Sequence, residues 1–273
     1  MQPAKLSLED IGNEALTLSQ EAMSFTADID NVRQKLPNFF KDVTNFVEDK
    51  LNALRQRESA VDRGLFYKAK DANDYMKLRN KKVPVPAGLN TTYLKHLDTL
   101  ERNQEFADTL MAEVLIPTEK FLGGLLDKPD NMKSQIESTL ISEIARRDIE
   151  DAKSEMHDDF SKDQAQQRPY GDVVKRQGDW DELYKRMDAL EKRIENNDPI
   201  NTVDMVTTIS EYLDVIIERL EEDPETYNMS GVTISSLTKL TYLIATEVEF
   251  MSVHTFMYKE LKTSVEEAAK VVS

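Results

Sequence analysis

The chain of 273 residues has no cysteine and only 8 glycines, 9 prolines and one tryptophan. Without thiols there can be no disulfide framework, thiolate metal site or cysteine nucleophile. Scarce glycine and proline argue against a strand-rich fold, which needs a turn roughly every 8–12 residues. No apolar run approaches the roughly 20 residues that span a bilayer. The stretch Met1-Gln2-Pro3-Ala4-Lys5 lacks the apolar character of a secretory signal, so export by that route is not expected.

Motifs that carry chemistry are missing as well. There is no Gly-x-x-x-x-Gly-Lys-Ser/Thr or Gly-x-Gly-x-x-Gly loop to cradle phosphates, and no Gly-x-Ser-x-Gly elbow. Only His96, His157 and His254 occur, and three residues before them stand Tyr93, Ser154 and Met251, so the Glu-x-x-His pattern of a di-iron bundle is absent. His96 and His254 read as partly buried polar contacts between inward apolar residues, and His157 as solvated surface. Asp28-Ile29-Asp30-Asn31 begins like a calcium loop but lacks its glycine and closing glutamate. The expectation is a protein that is not an enzyme and holds neither cofactor nor metal.

Apolar residues, by contrast, recur at three- and four-residue steps almost throughout, which predicts an all-α fold. Ser7 and Asp10 open a helix in which Leu8, Ile11, Ala15, Leu18, Ala22, Phe25, Ile29, Val32 and Leu36 form a narrow seam. Pro37 is expected to end it, and a second helix with Phe40, Val43, Val47, Leu51 and Leu54 makes a hairpin over 8–64. A shorter helix follows over 65–80. Alternate prolines in Lys81–Gly88 force an extended strap over 81–90, either a linker or a segment lying on a neighbour. Helices resume over 92–160, with Pro117 starting a new turn, Gly123-Gly124 allowing a bend or a close approach, and Pro129 closing the unit. A stripe of Ile141, Ala145, Ile149, Ala152 and Met156 marks the last helix of this half. Residues 161–178 read as a flexible linker. An acidic helical region over 179–273 begins with Asp179 and Glu182 as a capping pair and ends in a long helix over 233–271. The whole is an elongated bundle of about eight helices in two halves, 1–160 and 179–273.

Charge is unevenly placed. Residues 1–90 hold 14 basic and 13 acidic groups, whereas 91–273 hold 21 and 38. Within 50–82 cations crowd together with aromatics, which nominates Arg63, Lys68, Lys70, Lys77, Arg79, Lys81 and Lys82, interleaved with Phe66, Tyr67 and Tyr75, as a partner-binding surface. Residues 198–225 carry nine acids and the single base Arg219, a complementary surface within the same molecule. Net charge is −16, which repels a polyanion at long range. Contact with protein partners, self-association included, is therefore expected over nucleic acid, and no membrane contact is expected. The alternative is a regulatory module that uses 50–82 to bind nucleic acid or an acidic protein.

In its cysteine-free, acidic composition and its long helical stretches Leu8–Leu36 and Thr233–Val271, the chain resembles the helical structural and assembly proteins of tailed-bacteriophage virions. That resemblance implies a non-enzymatic subunit of an oligomer, located in a virion or in the cytoplasm of the producing cell. It transfers no functional residue.

Overall fold

The computed structural model describes residues 7–24, 29–54, 60–72, 75–86, 89, 91–127, 166–195, 202–222 and 230–273. Residues 25–28, the expected turn 196–199, the stripe Ile141–Met156 and His157 lie outside them. The described chain is an all-α helical bundle with one two-stranded antiparallel pairing. It divides into two compact units, each drawn from three chain segments: 1–56, 107–150 and 200–252 form the first, and 57–106, 151–199 and 253–273 the second. The consecutive halves expected from composition are not the units that pack.

In the first unit, α1 (Leu8–Met23) begins with a full capping box. The Ser7 hydroxyl accepts from the Asp10 N–H at 3.2 Å, and the Asp10 carboxylate accepts from the Ser7 N–H at 3.0 Å. Helix α2 (Ile29–Leu54) returns antiparallel, as Lys35 pairing with Glu21 at 2.8 Å shows. The corner between them precedes residue 29, not Leu36-Pro37 as expected. Pro37 lies inside α2 and is buried. A proline there forfeits one backbone hydrogen bond and costs about 3 kcal/mol. Complete burial of Leu36, Phe39 and Phe40 around it, each worth about 1.5–3 kcal/mol, outweighs that loss.

Helix α5 (Tyr93–Leu110) passes into a π-helical segment, Met111–Leu115, and then α6 (Ile116–Asp127). Pro117 stands in the first turn of α6, as expected, and the helical run nevertheless passes through it without interruption. Pro117 has no N–H to give the Glu113 carbonyl, and the wider π turn just before it, closed by Ile116 N–H to the Met111 carbonyl, absorbs the misfit. Helix α9 (Thr202–Glu222) lies parallel to α6, with Tyr212 donating to Glu119 at 3.2 Å and Arg219 to the Leu126 carbonyl. The helix continues through Gly123-Gly124 without a break, and the Tyr212 ring beside Gly123 leaves room for a Cβ at ordinary contact distance. Across the unit, α9 runs antiparallel to α2, where Lys41 meets Glu221 at 2.7 Å.

The 42-residue helix α10 (Gly231–Val272) gives residues 231–252 to the first unit and 253–272 to the second. It meets α1 through small residues. A Cβ on Gly231 would stand 2.2 Å from the Ala22 carbonyl oxygen, and Ser19 and Ser235 share a buried hydrogen bond of 2.7 Å. Near-continuous burial from Thr233 to Met251 explains why its apolar residues cover several faces.

The second unit contains α3 (Arg63–Asp71), the short α4 (Tyr75–Leu78), β1 (Lys82–Val85), residues 93–106 of α5, β2 (Gln166–Pro169), α7 (Tyr170–Val173) and α8 (Asp179–Glu195). The extended path expected over 81–90 is realised in β1. Its partner is β2, in register Lys82 to Pro169 through Val85 to Gln166. Residues 166–178, expected to be a flexible linker, thus form a strand, a short helix and a turn. Asp179 does not form a capping pair with Glu182. Its carboxylate reaches backward to accept from the Lys175 and Arg176 N–H groups at 3.0 and 2.9 Å. Trp180 is fully buried, donates to the Tyr170 hydroxyl at 2.8 Å, and takes the Phe66 ring edge-on at 5.7 Å.

One face of α10 carries polar side chains at four-residue steps through this core. His254 meets Gln104 at 3.2 Å, Tyr258 donates to the Met187 carbonyl at 3.2 Å, Lys262 pairs with Glu191 at 2.6 Å, and Glu266 accepts from the Asp62 N–H at 3.4 Å. Lys262 and Glu191 are both buried, and Glu191 also accepts from the Val61 N–H at 3.0 Å. Removing one member of such a pair leaves the other as an uncompensated interior charge. Lys262→Met is therefore expected to destabilise the second unit by about 3–5 kcal/mol. Urea unfolding followed by the fluorescence of Trp180, the sole tryptophan, measures it.

Candidate functional site

The ten residues nominated by the sequence all fall in the second unit, while residues 50–56 at the start of the basic segment belong to the first. Folding sorts the ten into two groups. Phe66 is 2% exposed and belongs to the core, whereas its neighbour Tyr67 is 41% exposed. Arg63 donates to the Tyr67 hydroxyl at 3.2 Å and lies 5.3 Å from that ring and 5.9 Å from the Tyr184 ring. Lys70 pairs with Asp181 on α8 at 2.5 Å and lies 5.9 Å from the Tyr67 ring. The Arg79 stem lies against Gly171, where any side chain would collide with it, and the Gly171 N–H bonds the Arg79 carbonyl at 2.9 Å. Lys81 donates to the Val271 carbonyl in the last turn of α10, a favourable place for a cation. Arg63, Phe66, Lys70, Arg79 and Lys81 thus join elements of the unit to one another. Lys68, Lys77 and Lys82 are exposed on α3, α4 and β1. Tyr75 opens α4, and its side chain lies outside the described part of the structure.

The opposing charge lies in the first unit. Antiparallel packing of α2 and α9 sets the exposed Glu48 beside Asp214, with Glu211 and Glu218 along the same helix. Partial burial, then Glu48, Glu218 and Glu211 in that order, hold the Asp214 carboxyl above its ordinary range. Burial and then Asp42 do the same to Glu14 across the α1–α2 seam. The sequence reading found the acid of α9, but the contribution of α2 becomes visible only once the two helices pair. Counted by unit, the net charge lies almost wholly in the first. The first unit has 28 acidic and 13 basic residues, and the second 23 and 22.

Titratable groups inside the units behave differently. Among the described residues no group of three or more histidine and carboxylate side chains is placed to hold a metal. His96 and His254 are both buried, as their apolar settings predict. Burial pushes the His96 imidazole down to about 4. Glu247 on α10 is 0% exposed, neither of its oxygens has a hydrogen-bond partner, and burial pushes its carboxyl up to about 8. The sequence reading passed over it. Its signal was there, since Glu247 stands three before Phe250 and four after Leu243 on an otherwise apolar stripe.

Fold and surface together define a class, an all-α bundle whose charge is divided by unit. No protein family, curated protein or solved structure matches the chain.

The state of His96 sets a sign for the second unit. The unfolded imidazole takes up a proton near 6.5, while the folded one resists it down to about 4. Stability is therefore lost as pH falls through that window, by about 3 kcal/mol in total. His96→Leu is expected to flatten this slope in unfolding curves read at Trp180. A slope unchanged by the substitution would assign the acid sensitivity elsewhere.

Proposed function

We propose that the protein is a non-enzymatic structural or assembly subunit that joins its partners, further copies of itself included, through helix faces and electrostatic contacts. The observation that carries this reading is the division of charge. Nearly all the net negative charge belongs to one unit, whose α2–α9 face sets Glu48, Glu211 and Glu218 around Asp214, where partial burial and then these neighbours hold the Asp214 carboxyl above its ordinary range. A surface in that condition gains when cations approach it. The exposed Lys68 and Lys82 of the second unit are such cations when supplied by another copy. The resemblance to tailed-phage virion proteins favours a place in a particle of that kind, or in the cytoplasm of the cell that produces it.

The test is the mass of the full chain in solution, by sedimentation velocity in about 50 mM and about 500 mM salt. Assembly is expected at low salt and dissociation at high salt, since screening shortens the reach of exposed charges. Reversal of Lys68 and Lys82 to glutamate should abolish assembly. Reversal of Glu211, Asp214 and Glu218 to lysine, mixed with the first variant, should restore it. A monomer under every condition would remove self-association from the proposal.

One observation favours the second reading, a module that binds nucleic acid. Tyr67 presents a partly exposed ring with the cations Arg63 and Lys70 at 5.3 and 5.9 Å from it, the pairing of aromatic and positive charge that single strands engage. Retention of single-stranded or duplex DNA at low salt, lost when Lys77, Arg79, Lys81 and Lys82 are replaced, would put that reading first.

A further inference from the structure

We propose that Glu247 is a proton-operated switch in the first unit: it is held as the neutral acid while the bundle is closed, and it ionises only when the surrounding stretch of α10 opens to water. Glu247 is 0% exposed, and the residues one turn away on either side, Leu243, Ile244, Phe250 and Met251, are buried apolar side chains. Both carboxyl oxygens are buried without a hydrogen-bond partner. An ionised carboxylate in that setting loses its hydration and recovers nothing in exchange, so the group stays protonated or the packing gives way.

Two residues along α10, Glu249 holds the Lys50 ammonium of α2 at 2.5 Å, so that cation is spent on another carboxylate. The unit's other helices carry Asp10 and Glu14 on α1, Glu48 on α2, Asp214 on α9 and Glu119 on α6, all of them acids. Burial alone raises the Glu247 carboxyl to about 8, with no neighbouring charge adding to the effect. Buried groups left in this state recur where a protein keeps a device at the expense of stability.

The sign follows from which form holds the proton more tightly. The closed bundle keeps it up to about pH 8, whereas an opened chain releases it near the ordinary 4.5. Opening therefore becomes about tenfold more favourable with each unit of pH across that window, and gains nothing above it.

Hydrogen exchange of the full chain, corrected for the intrinsic pH dependence, reads this directly. Between about pH 6 and about pH 8, peptides within 240–252 should lose protection roughly tenfold per unit and then level off. In Glu247→Gln the same peptides should hold a constant protection. Peptides within 257–269, in the second unit, should not follow the Glu247 course in either protein. An identical pH course in the variant would overturn the proposal. If the variant does not fold, carbon-13 titration of the Glu247 carboxyl in the unaltered protein decides the matter: a midpoint near 4.5 overturns the switch, and one near 8 supports it.

Discussion

A lysine ammonium in a protein interior is tenable only beside its counter-charge. Lys262 is 3% exposed and its Nζ stands 2.6 Å from Glu191. That pair fixes which turn of α8 meets which turn of α10, because a slip along either helix would leave two charges bare. His254 and Tyr258 add buried polar contacts at four-residue intervals before Lys262, each against a different chain segment. Apolar packing tolerates sliding, and these polar rungs do not. The rest of the second unit is arranged around a register that they set: the Trp180 cluster, the clasp of β1 and β2, and the Arg186 fork to Glu101 and Asp98.

Much of the fold could be read before any coordinates. The capping box at Ser7, the seam of α1, the start of α8, the long terminal helix and the extended path of 82–85 all follow from local rules. The failures share a cause. Pro37 is a local breaker, yet it lies within a continuous helical run, carried by the burial of its neighbours. A three-four seam that happened to continue in sequence from α1 into α2 hid the boundary between them. Residues 166–178 look like a linker because their polar composition is judged alone. What orders them is a strand more than eighty residues earlier, which no local rule contains.

The candidate surface was legible in composition and illegible in arrangement. Counting charges locates the cations of 50–82, but cannot say that Lys70 will serve Asp181 or that Lys81 will cap α10. Interleaved aromatics suggest a stacking platform. Adjacent residues on a helix point in different directions, however, so Phe66 turns inward to Trp180 while Tyr67 turns out. The division of charge by unit was partly masked because each unit is assembled from three separated segments. Glu247 was overlooked because carboxylates are abundant, and abundance made a single one on an apolar stripe easy to pass over.

The last helix has a bearing on how the protein is made. Residues 231–252 complete the first core and 253–272 the second. While translation is still short of position 231, the ribosome therefore carries a nascent chain with both interiors unfinished and their leucines and phenylalanines uncovered. Long-range closure of this kind is slow compared with local hairpin formation. Cells expressing the protein must keep that chain from aggregating until synthesis has passed α10, after which both interiors can close in one event.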